Sequence, residues 1–117
     1  LRRSDRIRRS REYQRVSRLG ARTANPDFVP LIASRGPGEG FGCRRLGIAA
    51  SRKVGNAIVR NRIKRGVREW FRHSRSNLPV NVDLVVIARR HAGELEGHEM
   101  ADSLDSIVVR ALARWKS

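Results

Sequence analysis

Cysteine is nearly absent: Cys43 stands alone in 117 residues, which excludes an internal disulfide and a thiolate metal site. Long apolar runs are missing too. No stretch approaches the ~18 consecutive apolar residues of a membrane span, and no apolar segment follows the basic start as a secretory signal requires. These absences predict a cytoplasmic protein with no membrane partner. Acidic residues are scarce where basic ones crowd: residues 1 to 75 hold 21 Lys and Arg against 5 Asp and Glu, whereas residues 76 to 117 hold 5 against 6. Lysine itself is rare. All the basic residues except Lys53, Lys64 and Lys116 are arginine, whose planar guanidinium can grip a phosphate through two donors and stack on a base. GC-rich coding would also replace lysine with arginine, so the bias alone does not decide between the two causes.

What is present suffices for a core. Hydrophobic residues make up 39% of the chain, too many for a disordered polycation, while a net charge of +15 and a pI of 11.8 demand an anionic partner. The length predicts a single domain spanning 1–117. Residues 1–9 are too charged to pack and are expected to form a flexible basic arm that orders on a polyanion.

From Ser10 to Gly20 a short helix is predicted, with Tyr13, Val16 and Leu19 on neighbouring faces. Phe28 to Ser34 reads as a strand, placed at a sheet edge by Pro30 because proline cannot donate to a ladder. Arg35 to Gly42 is a glycine-rich loop. Its spacing matches neither nucleotide-binding fingerprint, so it reads as a hairpin connection and not as a phosphate cradle. Arg45 to Ala50 and Val80 to Ala88 read as further strands, the latter buried on both faces. The final helix, about Glu99 to Trp115, carries an apolar stripe of Met100, Leu104, Ile107, Val108, Ala111 and Trp115, with Asp102 and Asp105 outward. The order α-β-β-α-β-α predicts an α/β (α+β) two-layer sandwich.

Between the last two strands lies a basic helix, from about Asn56 to Arg75. At about 100° per residue, Val59, Ile63, Val67 and Trp70 share one face, Asn61, Lys64, Arg65, Arg68 and Arg72 cover the other, and Arg60 and Arg62 flank the apolar stripe. A merely solvated face mixes Glu with Lys and Arg so that pairs at i,i+4 attract. Here Arg60, Lys64, Arg68 and Arg72 repeat at that spacing with only Glu69 nearby, and such self-repulsion calls for an external anion. Gly66 interrupts the helix at a cost of roughly 1 kcal/mol against alanine, which close packing would explain.

The segment Arg45-Leu46-Gly47-Ile48-Ala49-Ala50-Ser51-Arg52-Lys53-Val54-Gly55-Asn56-Ala57-Ile58-Val59-Arg60-Asn61-Arg62-Ile63-Lys64-Arg65 resembles the signature of the bacterial ribonuclease P protein subunit. In that family a strand leads through a Ser-Lys-Lys-Val-Gly-like turn into a helix bearing Arg-Asn-Arg. Looser similarity extends through Arg11-Glu12-Tyr13-Gln14-Arg15-Val16 and Val85-Val86-Ile87-Ala88-Arg89. The resemblance implies a small mixed sheet with a left-handed βαβ crossover, against the usual right-handed rule. It implies partnership with a catalytic RNA that removes the 5′ leader of precursor tRNA, with Mg2+ held mainly by that RNA and no small-molecule substrate.

By the same resemblance, Asn56, Arg60, Asn61, Arg62, Lys64, Arg65 and Arg68 would meet the catalytic RNA. Tyr13, Phe28, Arg52, Lys53 and Arg89 would line a cleft for the leader. Two aromatic positions of the family depart here, to Ser17 and Leu31, which leaves fewer platforms for stacking bases. No catalytic side chain is expected in the chain itself. His73, His91 and His98 show no carboxylate partner at ligand or triad spacing, and Glu94, Glu96, Glu99, Asp102 and Asp105 read as a solvated acidic surface and not as a metal cluster. The alternatives are a ribosomal-type RNA-binding protein or RNA chaperone without a processing role, and a ribonuclease acting through its own side chains.

Overall fold

The computed structural model describes Ile7, residues 21–34 and residues 44–116. Four strands, β1 (Ala21–Arg22), β2 (Phe28–Ser34), β3 (Arg44–Ala49) and β4 (Val82–Ala88), form one sheet in the order β1-β2-β4-β3. Two helices follow β3 and β4 in turn: α1 (Ala57–Ser74) and α2 (Gly97–Lys116). The sheet is mixed, with β4 antiparallel to β2 and parallel to β3, so α1 is the crossover of a strand-helix-strand unit. The predicted helix from Ser10, the glycine-rich loop and Cys43 lie outside the described residues.

Alternation along the strands sorts side chains between two faces. Phe28, Ile32, Leu46, Leu84 and Val86 point toward the helices, where they pack with Ile63, Val67, Trp70 and Phe71 of α1 and Leu104, Ile107 and Ala111 of α2. Leu31, Ala33 and Val85 point the other way and bury Ile7 among them. Burial of β4 on both faces therefore follows the sequence reading, because it is a central strand.

Three expectations need correction. β2 is not an edge strand, since β1 flanks it, a strand too short to leave a pattern in sequence. Pro30 is accommodated because β1 ends at Arg22, opposite Leu31, so no β1 residue faces the proline. The last strand starts at Val82 and not at Val80, because Asn81 turns the chain through the left-handed region at φ 60°. Nor does Ile7 behave as part of a free arm. It is buried on the second face of the sheet, and its N–H donates to the Leu46 carbonyl at 2.8 Å.

The helices keep their predicted character. The stripe Met100, Leu104, Ile107, Val108 and Ala111 is buried, and Trp115 packs partly against it. Glu99 accepts the Glu96 N–H at 2.8 Å, tying down a free donor at the start of α2. Gly66 lets the two helices pack closely, since a Cβ there would collide with the Met100 sulfur. Trp70 Nε1–H reinforces the contact by donating to Asp105 Oδ1 at 2.8 Å.

Candidate nucleic-acid interface

Helix α1 is positioned from both ends of its sequence. Asn56 caps it, accepting the Val59 N–H on its side-chain oxygen at 3.0 Å, and the buried stripe Ile63, Val67, Trp70 and Phe71 fixes its rotation on the sheet. The opposite face is thereby forced outward. Asn61, Lys64, Arg65, Arg68, Glu69 and Arg72 line one shallow surface depression.

Glu69 does not neutralise this face. Its carboxylate is engaged by Arg72 at 2.5 Å and by His73 at 3.0 Å, and hydrogen bonds from Arg72 first and His73 second hold it below the ordinary carboxylate range. Lys64, Arg65 and Arg68 form no ion pair with any other described residue. With like charges one helical turn apart, the face repels itself until an anion arrives.

The two arginines of the Arg-Asn-Arg motif serve different flanks. Arg62 turns toward α2's side and donates from Nη2 to the Gly93 carbonyl and from Nη1 to the Leu95 carbonyl at 3.4 Å. Its fork thus staples α1 to the 3-10 turn Arg90–Glu94. Arg60 lies half-buried on the other flank, with its Nε shielded from solvent and unbonded among the described residues.

The second group of predicted residues is only partly assembled. Arg52 and Lys53 are exposed on the turn closed by the Val54 N–H to Ser51 carbonyl bond of 3.0 Å. Gly93 packs against this turn, since a Cβ there would stand 3.2 Å from the Val54 carbonyl oxygen. Arg89, exposed at the end of β4, opens the same 3-10 turn and donates from Nη1 to the Asn25 carbonyl at 2.9 Å. The three cations therefore sit on two abutting turns. Phe28 does not join them: it is 0% exposed in the core between sheet and helices, so it offers no face to a base and leaves the leader-contacting set. Tyr13 and Ser17 lie outside the described residues, and Leu31 is buried beside Ile7.

A polar network around Asp27 escaped the sequence reading. Ser103 Oγ–H donates to Asp27 Oδ2 at 2.6 Å, His91 pairs with Asp27 Oδ1, and Asn25 accepts the Asp27 and Phe28 N–H groups at 2.9 and 2.7 Å. His91 also meets Glu94 at 3.3 Å. So His73 and His91 do have carboxylate partners, one a helical turn away and one 64 residues distant. The Asp27–His91 pair is not a catalytic triad, because the Ser103 hydroxyl donates to the carboxylate and not to the imidazole. Among the described residues no group of three or more His, Cys, Asp or Glu side chains is placed to hold a metal ion, and no helix is long and apolar enough to cross a membrane.

The Asp27 hydrogen bond, aided by the charges of Asp27, Glu94 and Glu99 and opposed by desolvation, raises the His91 pKa above its ordinary value of 6.5. A raised folded-state value means that the pair stabilises the fold below about pH 6.5 and that this contribution fades as pH rises through the His91 pKa. We expect the His91 ring to titrate above 6.5 by NMR and to fall back toward that value in Asp27→Asn. An unchanged midpoint in the variant would exclude the pair.

A mixed sheet covered on one face by two helices, one of them presenting Lys64, Arg65 and Arg68 with no ion-pair partner among the described residues, defines an α+β RNA-binding protein. Comparison with known proteins narrows the class. The Ribonuclease P family profile matches residues 1–112. The ribonuclease P protein component of Exiguobacterium sibiricum is 38% identical over 111 residues, covering 95% of this chain and 92% of that protein, and that of Brevibacillus brevis is 38% identical over 95% and 86%. The Staphylococcus aureus RNase P protein superposes with a TM-score of 0.83 at 34% identity, covering 92% of this chain and 94% of that one. The Thermotoga maritima RNase P protein gives 0.75 at 32% identity, over 86% and 92%. The chain belongs to the bacterial ribonuclease P protein family. It is the protein component of an endoribonuclease that, with a catalytic RNA, matures the 5′ ends of tRNA, which sets aside the ribosomal and chaperone readings.

Proposed function

We propose that the outer face of α1 is the contact with the catalytic RNA and that the turns bearing Arg52, Lys53 and Arg89 meet the 5′ leader of precursor tRNA. The observation that carries this reading is the group Lys64, Arg65 and Arg68, three cations on one helix face that form no ion pair with any other described residue. Asn61 stands among them as a neutral donor and acceptor, Asn56 holds the helix start, and Arg60 borders the face. Arg62 contributes charge from its staple to the 3-10 turn.

The protein acts as a counter-ion of fixed shape. Folding a large RNA and docking a second one bring phosphates together, and cations on a rigid helix lower that repulsion without the entropy loss of condensing free ions. Mg2+ belongs to the RNA partner in this reading, and the chain supplies orientation and charge, not a nucleophile or a proton. The family resemblance further implies a left-handed β3-α1-β4 crossover, one RNA-binding domain and a cytoplasmic site of action. Reconstitution tests the reading: protein added to the catalytic RNA should allow precursor tRNA cleavage at lower Mg2+ than the RNA alone requires, while RNA-free protein cuts nothing. Cleavage by RNA-free protein that a side-chain substitution abolishes would overturn it.

A further inference from the structure

The most exposed large hydrophobic residue among the described residues stands at the N-terminal end of the cationic face. Ile58, in the first turn of α1, is 78% exposed, whereas Val80 and Val109, the other two, lie on the 79–81 turn and on α2. Asn61, Arg62 and Arg65 follow it at the spacings that place side chains on one helix face, and all three are exposed. A single exposed apolar residue is ordinary on a protein surface. Its setting here is not, because the exposed residues that follow it on this face, Asn61, Arg62 and Arg65, are polar or charged and the inner stripe already closes over the sheet without it.

We propose that Ile58 is an apolar contact of the RNA interface, packing on the face of an unstacked base in the structured catalytic RNA while Arg65 and its neighbours hold the adjoining phosphates. This rests on the reading of α1 as the catalytic-RNA contact and adds to it a second kind of interaction. Phosphates offer nothing to an isoleucine side chain. The flat face of a base does, and structured RNA exposes such faces at loops and bulges. A second copy of the chain is a poor occupant: a two-fold contact centred on Ile58 would press one strongly cationic surface against another. Apolar burial removes area from water and releases no counter-ions, so its share of the affinity is insensitive to salt, unlike that of the arginines.

The test measures affinity of the full chain for its catalytic RNA across a salt series in wild type, Ile58→Ser, Ile58→Leu and Arg65→Ala. Ile58→Ser should weaken binding about tenfold with the salt slope and melting temperature unchanged, Ile58→Leu should restore it, and Arg65→Ala should weaken binding with a shallower slope. If Arg65→Ala weakens binding and Ile58→Ser does not, the apolar contact is rejected while the interface stands. If neither does, both fall. A fall in salt slope for Ile58→Ser, or a wild-type dimer that this change dissociates with RNA affinity intact, also overturns the proposal.

Discussion

Replacing Asp83 by alanine should cost about 3 to 5 kcal/mol of stability. Asp83 has no exposed surface, and it accepts Arg45 Nε and Nη2 on its two carboxylate oxygens at 2.9 and 2.8 Å, across a register in which the two residues are opposite each other. Removing the carboxylate takes both of these charge-assisted bonds from a guanidinium that is itself only 14% exposed. The pair as a whole is a different matter. Desolvation nearly cancels the attraction inside a buried pair, so Arg45→Met with Asp83→Leu should lose far less than Asp83→Ala alone. Urea denaturation of the single and double variants measures both quantities. A double variant as unstable as the single one would mean that the ion pair itself, and not the loss of one charge from it, sets the penalty.

Arg65→Ala with Arg68→Ala should reduce affinity for the catalytic RNA by roughly a hundredfold, from two charge-assisted hydrogen bonds of about 1.5 kcal/mol each. The salt slope should fall by roughly two units, one for each phosphate no longer neutralised. Arg110→Ala with Arg114→Ala removes the same charge from α2, the helix that also carries Asp102 and Asp105, and controls for the net field. Equal losses from the two pairs would show that overall charge and not the α1 face governs assembly. Filter binding or calorimetry between 50 and 300 mM salt separates these outcomes.

The elements that could be read from sequence are those whose signals are local. Asn56 as a cap, the inner stripe of α1 and the stripe of α2 all depend on spacings within a few turns, and the structure places them as expected. Gly66 was explicable in kind, though its neighbour Met100 was not nameable. What stayed hidden depends on pairings across the chain. The two residues of β1 are a strand only because β2 lies alongside. Phe28 carries no mark that distinguishes a core aromatic from a stacking platform, and its burial is decided by which face of β2 the helices cover. Arg62 finds backbone carbonyls, which no side-chain pattern advertises. Asp83 did leave a usable trace, because a carboxylate inside an apolar strand requires a cation opposite. The Asp27 network left none, as its partners His91 and Ser103 are 64 and 76 residues away.

The strand order has a consequence in time. β4 is made last of the four strands, yet it lies between β2 and β3 and is the strand to which each is joined. A ribosome adding about 5 to 20 residues per second therefore holds an unclosed sheet for several seconds after β3 has emerged. During that interval α1 is already synthesised, with Ile63, Val67, Trp70 and Phe71 lacking the surface they will cover. Nascent chains halted before Val82 should be bound by chaperones and cut readily by protease, and protection should arrive abruptly once Ala88 has cleared the exit tunnel.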